Sequence, residues 1–315
     1  QGYIATEYYP VAPLLVNLGV RYEISKQWVD YYTDGGKAER SELNKNDLFP
    51  SLNMKYQMNE KNSLRFAFSR TVTRPSFIEM APFLYQESYG SAQIRGNADL
   101  QNGYNYNIDL RYELFEKNGD MLSITAYYKH LKAPIERVQT LSGGSAVHSF
   151  RNADNGMATG VEIEFRKEIV KDLRFGVNGS YMYTNVKLPE GGAYTNSQRA
   201  LQGASPYLAN ADLTYSPAFS NDRQLSVALL YNLQGPRIHS VGISGLGDIK
   251  QQPVHTLNFT GSYRFNRRFA VKLQVNDLLN QDILFKQEVP TTGDKVEVER
   301  FRKGTGFEVG FSYDL

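Results

Sequence analysis

The sequence predicts an all-β fold, a transmembrane antiparallel up-and-down β-barrel, and three observations carry that expectation. Apolar residues recur at every second position, several of these stretches run well past ten residues, and the links between them alternate between tight turns and mostly longer segments. A period of two marks an extended strand with one apolar and one polar face, because a helix loses that register within two turns. Trimmed turns at one end and elaborated loops at the other are the habit of barrels with short periplasmic turns and long external loops. Strands of soluble sandwiches average about five to six residues, shorter than those read here.

The rows can be followed along the chain. Leu14, Val16, Leu18, Val20, Tyr22 and Ile24 share one face, against Asn17, Arg21 and Glu23. Tyr104, Tyr106, Ile108, Leu110, Tyr112 and Leu114 repeat the pattern against Asn105, Asn107, Asp109, Arg111 and Glu113. It recurs from Leu173 to Tyr183, from Leu257 to Phe265 and from Phe269 to Val275. The chain closes on Phe307, Val309, Phe311, Tyr313 and Leu315. About 13 strands follow, starting near residues 1, 12, 47, 61, 103, 120, 145, 172, 204, 222, 251, 267 and 295. Tight links fall at 10–13, 59–61, 116–120, 170–172, 219–223 and 266–268, with the other set at 27–46, 73–102, 140–144, 187–203, 236–252 and 289–294.

Composition narrows the function. No Cys is present, which excludes a disulfide framework, a thiolate metal site and a cysteine nucleophile. The 35 basic and 33 acidic residues are scattered, without the basic block that a nucleic-acid partner would need. No stretch approaches the ~20 apolar residues of a spanning helix. The mean hydropathy of -0.47 would suit a soluble chain, but alternation cancels average hydropathy in a barrel. Residues 1–10 hold no signal peptide. An odd number of antiparallel strands cannot close an up-and-down barrel, so further strands are expected before Gln1.

Several segments, in order, resemble TonB-dependent receptors, the outer-membrane active transporters of Gram-negative bacteria. They are Phe68-Ser69-Arg70-Thr71-Val72-Thr73-Arg74-Pro75-Ser76-Phe77; Gly96-Asn97-Ala98-Asp99-Leu100, with Ala98 where the family has Pro; and Asn152-Ala153-Asp154-Asn155-Gly156 leading into Gly160-Val161-Glu162. Gly235-Pro236-Arg237-Ile238 and Val275-Asn276-Asp277-Leu278-Leu279-Asn280 complete the series. The resemblance implies that residues 1–315 form the C-terminal portion of a plugged barrel of about 22 strands, whose plug and first strands lie outside this chain. It implies import of a scarce solute: a ferric siderophore, haem or cobalamin first, an oligosaccharide or peptide next. The alternative is a passive pore or a surface adhesion or scaffold barrel. Expected partners are outer-membrane lipids, TonB through the missing N-terminal part, the protein's own plug and a candidate surface lipoprotein. No cofactor is expected.

Candidate site residues follow from position. Trp28, Tyr31 and Tyr32 gather near the start of one external segment, and Tyr85 and Tyr89 in the longest. Aromatics of this kind stack on flat chelates or sugars, or sit in the membrane-interface girdle. Arg95, Arg199 and Arg237 are candidates for an anionic ligand. Arg111, Glu113, Glu162, Glu164 and Arg166 are expected to face the lumen and plug. Glu162 and Glu164 share a strand face as an acid–base pair would, but Arg166 in the same row favours a charge ladder between strands. No catalytic constellation is found, and His130, His148, His239 and His255 lack the spacing of a zinc site.

Overall fold

In a computed structural model, the described residues are 1–33, 35–86, 93–142, 145–189, 195–217, 219, 222–242 and 245–314, without the side chains of 140–142 and 145–146. One 14-stranded sheet forms the wall. Its wall strands are β1 Gly2–Val11, β2 Leu14–Tyr32, β3 Ala38–Gln57, β4 Asn62–Thr73, β5 Gly103–Phe115, β6 Met121–Lys132 and β7 Asn155–Val170. They continue as β8 Leu173–Lys187, β9 Tyr207–Tyr215, β10 Gln224–Gln234, β11 Val254–Arg264, β12 Phe269–Asn276 and β13 Gly306–Tyr313. Each pairs antiparallel with the next, and Gln198–Arg199 adds a short stretch beside β8. The path is open: β1 pairs with β2 and β13 with β12, and neither has a second neighbour among the described residues.

The register keeps each chemical row on one face. Leu18 stands opposite Leu52, and Leu52 opposite Phe68, while Asn17, Asn53 and Ala67 align on the other side. The apolar outer row is exposed: Leu18 is 50% accessible, Ile163 49% and Phe311 72%. A soluble sheet would cover such a face; here the row is what a bilayer would cover. Buried apolar side chains collect instead at one end, in the layer made by the long connections. Met80, Ile94, Leu100, Val186, Leu188 and Val241 are all fully enclosed there.

Tight turns at the other end use short polar side chains to bind their own backbone. Asn59 Oδ1 accepts from the amides of Lys61 and Asn62, both at 3.0 Å. Asn266 Oδ1 does the same for Arg268 at 2.8 Å and Phe269 at 2.9 Å. Asp172 and Asp222 take left-handed φ of 65° and 58°, a conformation Asp tolerates better than most residues.

Three expected boundaries are corrected. β3 begins at Ala38, not near 47, and β2 runs on to Tyr32, so most of 27–46 is a strand hairpin. It was hidden because a hairpin standing above the membrane is polar on both faces and loses its apolar alternation. Ser145–Asn152 does not start a wall strand; it pairs back onto Ile135–Ser142 within a long connection, and the wall resumes at Asn155. Asp294–Arg302 likewise pairs with Asp282–Val289, and the last wall strand begins at Gly306. In both cases a loop hairpin carries strand-like sequence without crossing the wall.

Candidate functional site

The site is built from two surfaces: the polar face of the wall and the loop layer at its long-connection end. On the polar face a ladder of charges crosses four strands. Arg65 on β4 lies 2.8 Å from Glu113 on β5, and Arg111 on β5 reaches the other oxygen of that carboxylate at 2.9 Å. Arg111 also approaches Glu164 on β7 at 3.8 Å, and Arg166 closes the series on Glu164 at 2.7 Å. Ser63 donates a further bond to Glu113 at 3.0 Å. Glu162 stands in the same row and lines a hollow of about 560 Å³ with Asn17, Asn53, Arg65, Asp109 and Arg111. Glu164 is occupied by two arginines, which leaves no free acid–base pair with Glu162.

The ladder should be uneven in worth. Glu113 is only 6% exposed and holds three donors, so Glu113→Ala should destabilise the full-length barrel by about 1.5–3 kcal/mol. Arg166, with its side chain 57% exposed, should contribute under ~1 kcal/mol when replaced by Ala. Thermal unfolding in detergent measures both, and equal shifts would contradict this ordering.

The loop layer is stitched together by the segments that carry the sequence resemblance. Arg74 binds Glu23 of β2, and the Pro75 carbonyl accepts from Gln27 Nε2 at 2.6 Å. Ser76 caps the helix Phe77–Met80 in a reciprocal capping box with Glu79. The Asn97 amide then bonds the Glu79 carbonyl at 2.6 Å, while its side chain donates to Phe150 O at 2.9 Å. Asn152 donates to Gln101 O and Ala133 O, each at 2.9 Å, and accepts from the Gln101 amide at 2.8 Å. Asp277 and Asn280 adopt left-handed φ of 55° and 45°, turning the chain where β12 ends. These motifs therefore tie the connections to one another and to β2.

Beneath them lies a buried polar cluster that sequence reasoning missed. Glu136 is 1% exposed and pairs with Arg199 at 2.7 Å; the Gln202 amide bonds the same carboxylate at 3.4 Å. Gln202 also accepts from the Arg137 amide and donates to the His239 carbonyl. Arg137 Nε donates to His148 Nδ1 at 2.9 Å, which fixes the ring as neutral with its proton on Nε2, and His148 lies 6.1 Å from the His239 ring. Burial pushes the Glu136 carboxyl up, against the pull of Arg199. Burial, then the charges of Arg137 and His239, lowers His148 to about 3. No spacing in the sequence joins these residues, which come from four separate segments.

The His148 shift has a definite sign. An unfolded histidine takes up its proton near pH 6.5, whereas the folded one resists until about 3, so the unfolded state binds more protons in between. The loop layer should be fully stable with respect to this group above about pH 6.5 and lose stability as pH falls toward 3. Protease cleavage within residues 135–152, followed against pH for wild type and His148→Gln, reads this. An unchanged acid dependence in the variant would contradict it.

The candidate aromatics separate. Trp28 and Tyr32 share the outer face with Tyr22 and Ile24, at 49% and 79% exposure, and the Arg40 guanidinium lies 5.9 Å from the Trp28 ring. Tyr31 points to the polar side and donates to Glu39 Oε2 at 3.2 Å. Tyr85 sits 5.9 Å from Phe83 on Leu84–Tyr85, which pairs with Ile94–Arg95; Tyr89 lies outside the described residues. Arg95 is partly buried in that pairing. Arg199 is consumed by Glu136 with its side chain 4% exposed, so it is not presented to solvent. Arg237 is exposed and donates to Gln251 Oε1 at 2.7 Å.

A family model described as the outer membrane protein beta-barrel family matches residues 11–313. The chain belongs to that family. This outer membrane barrel is thus a Gram-negative outer-membrane protein and not an enzyme. It is 21% identical to the ferric enterobactin receptor of Pseudomonas aeruginosa over 270 residues, 79% of this chain and 35% of the receptor. Its fold matches a solved structure of the P. aeruginosa ferric enterobactin receptor with a TM-score of 0.63, at 15% identity, over 99% of this chain and 44% of that one. The ferric yersiniabactin uptake receptor of Yersinia pestis gives a TM-score of 0.68, at 14% identity, over 99% and 45%. The siderophore receptor of Acinetobacter baumannii gives 0.63, at 15% identity, over 99% and 45%. The barrel therefore spans about a third of the curated relative and under half of these three solved ones. It shares the wall fold of siderophore receptors of the TonB-dependent type.

Proposed function

We propose that this barrel is the wall and external layer of an active importer whose first cargo class is a ferric siderophore. The observation that supports the reading is the loop layer: the long connections are joined one to the next by side-chain bonds into a single layer at one end of the wall. A passive pore needs no such built external layer, whereas a receptor that captures cargo does. Names of the distant relatives favour an iron chelate over haem, cobalamin, an oligosaccharide or a peptide. Tyr31, Tyr85 and Arg95 are the proposed cargo contacts, while Trp28 and Tyr32 lie on the outer face of the hairpin above the membrane, turned away from them. The charge ladder is the proposed seat of the protein's own plug, and the open edges of β1 and β13 are proposed to pair with further strands, since unpaired backbone in lipid costs several kcal/mol per group. Energy would reach such a plug through TonB.

The test uses the full-length protein in its own cell. A deletion strain should grow poorly under iron limitation and normally when glycans are limiting, and uptake of a labelled ferric siderophore should stop when the inner membrane is de-energised. A defect under glycan limitation alone would replace the cargo. Uptake that survives de-energising would make the barrel a passive pore.

A further inference from the structure

The upper ends of β6, β7 and β8 bring two lysines to one face of the wall. Lys132 pairs with Asn155 and Asn155 with Lys187, so the three side chains leave the sheet in one direct cross-strand row. Neither ladder shifts register between that row and the apolar residues below it. Tyr128 pairs with Thr159 and Thr159 with Tyr183; further down, Val161 meets Tyr181, and Ile124 meets Ile163. This is the outer row: Ile124, Tyr128, Val161, Ile163, Tyr181 and Tyr183 are between 41% and 66% exposed. Residues of the opposite parity, Leu131 on β6 with Thr184 and Val186 on β8, are buried on the other side. Lys132, Asn155 and Lys187 therefore stand on the lipid-facing side, and all three are exposed.

Their height follows from β7. Its outer row starts at Asn155, passes through Met157, Thr159, Val161, Ile163 and Phe165, and ends on Lys167, which pairs with Phe175 of the same face. At about 3.3 Å per residue and a tilt near 40°, Asn155 stands roughly 30 Å above Lys167, against an apolar band of about 25 Å. The two ends of the row thus lie just beyond the hydrocarbon, where lipid phosphates are. Aromatic rings mark the same boundary from below: Tyr106 lies 6.1 Å from the His130 ring, and Tyr128 and Tyr183 flank Thr159. Among the described residues neither lysine ammonium has an ion pair or hydrogen bond, and Asp154, which precedes Asn155, is paired with neither.

We infer that this row binds a phosphate of an outer-leaflet lipid headgroup, seated over Asn155 with Lys132 on one side and Lys187 on the other. Strands are about 4.8 Å apart, so one strand between them sets the two lysine Cα atoms about 10 Å apart. Their flexible stems leave the same face and lean over Asn155, which brings both ammoniums to one phosphate while the Asn155 amide donates a further bond. Two like charges this close repel one another, and an anion between them removes that repulsion. Below, Tyr128 and Tyr183 lie against the start of the acyl chains. The site takes its lipid from the membrane plane and depends on the wall alone, so it is filled whether or not cargo is present.

The experiment is native mass spectrometry of the full-length protein in detergent, titrated with bis-phosphorylated lipid A, phosphate-free lipid A or inorganic phosphate. Wild type should retain the phosphorylated lipid with at least tenfold preference over the phosphate-free form. The double variant Lys132→Ala/Lys187→Ala should lose that preference, and Lys132→Arg/Lys187→Arg should keep most of it. Lys129→Ala should keep all of it, because Lys129 pairs with Asn107 and Ala158 on the polar face of the same strand end. Circular dichroism and heat-modifiable migration verify that each variant is folded; should the alanine pair fail to fold, Lys187→Ala alone carries the same comparison. Equal retention by wild type and the alanine variants would overturn the site, and so would an equal loss in Lys129→Ala. Equal binding of the phosphate-free lipid would reduce it to apolar contact, and inorganic phosphate bound as tightly as the lipid would make it a free-anion site; either result overturns the assignment.

Discussion

Glu136→Leu should destabilise the loop layer by about 3–5 kcal/mol, because it leaves the Arg199 guanidinium buried without its counter-charge. Both side chains are almost sealed, at 1% and 4% exposure, and Arg199 Nε and Nη2 already lack partners. The double variant Glu136→Leu/Arg199→Leu should recover much of that loss, since neither charge then has to be desolvated. Hydrogen exchange over residues 135–142 and 198–206 in the full-length protein measures the difference. If single and double variants open equally, the pair is a packing element and its charge is immaterial. The wall below Tyr181 should be indifferent to either change, because the cluster meets the wall only at the upper end of β8, where Arg199 pairs with Val186.

Gly96→Val should detach the connection that spans residues 74–102, at a cost on the order of 3 kcal/mol. A Cβ at Gly96 would overlap the Ala81 carbonyl oxygen and lie 2.7 Å from that of Ile78, and both obstacles are backbone that cannot rotate away. The bond from the Asn97 amide to Glu79 would be lost with the helix contact. Limited proteolysis should then cut near residues 77–100 at least tenfold faster, with the barrel itself intact. Cleavage at the wild-type rate would show that the connection is held by its other bonds, to β2 and β3 through Gln27 and Ser41 and to residues 150–152 through Asn97 and Gln101.

The wall was legible in the sequence because its rule is local. Side chains on a strand alternate, one face meets lipid and the other water, so Leu14 to Ile24 and Phe269 to Val275 declare their faces without any knowledge of neighbours. Turn residues such as Asn59, Asn118 and Asn266 are equally local, since each binds backbone within three positions. Alternation fails as a guide where both faces meet water. That is why the β2–β3 hairpin above Ile24 read as a loop, and why Ser145–Asn152 and Asp294–Arg302 read as wall strands.

The candidate site was legible only in part. Arg111, Glu113, Glu164 and Arg166 could be placed on one face by parity alone, but Arg65, which completes the ladder, needed the register between β4 and β5. The motifs at Arg74-Pro75, Gly96-Asn97 and Asn152 were visible as patterns, yet their role as stitches between connections was not. By itself the sequence determined an antiparallel membrane wall, its two faces and which end carries the long connections, since period and turn chemistry are written within a few residues. Only the tertiary structure decided that Arg199 is buried on Glu136, that His148 meets His239, and that the pairing of β8 and β9 breaks above Tyr181. Those contacts join segments tens of residues apart, and their partners are chosen by burial and shape rather than by spacing along the chain.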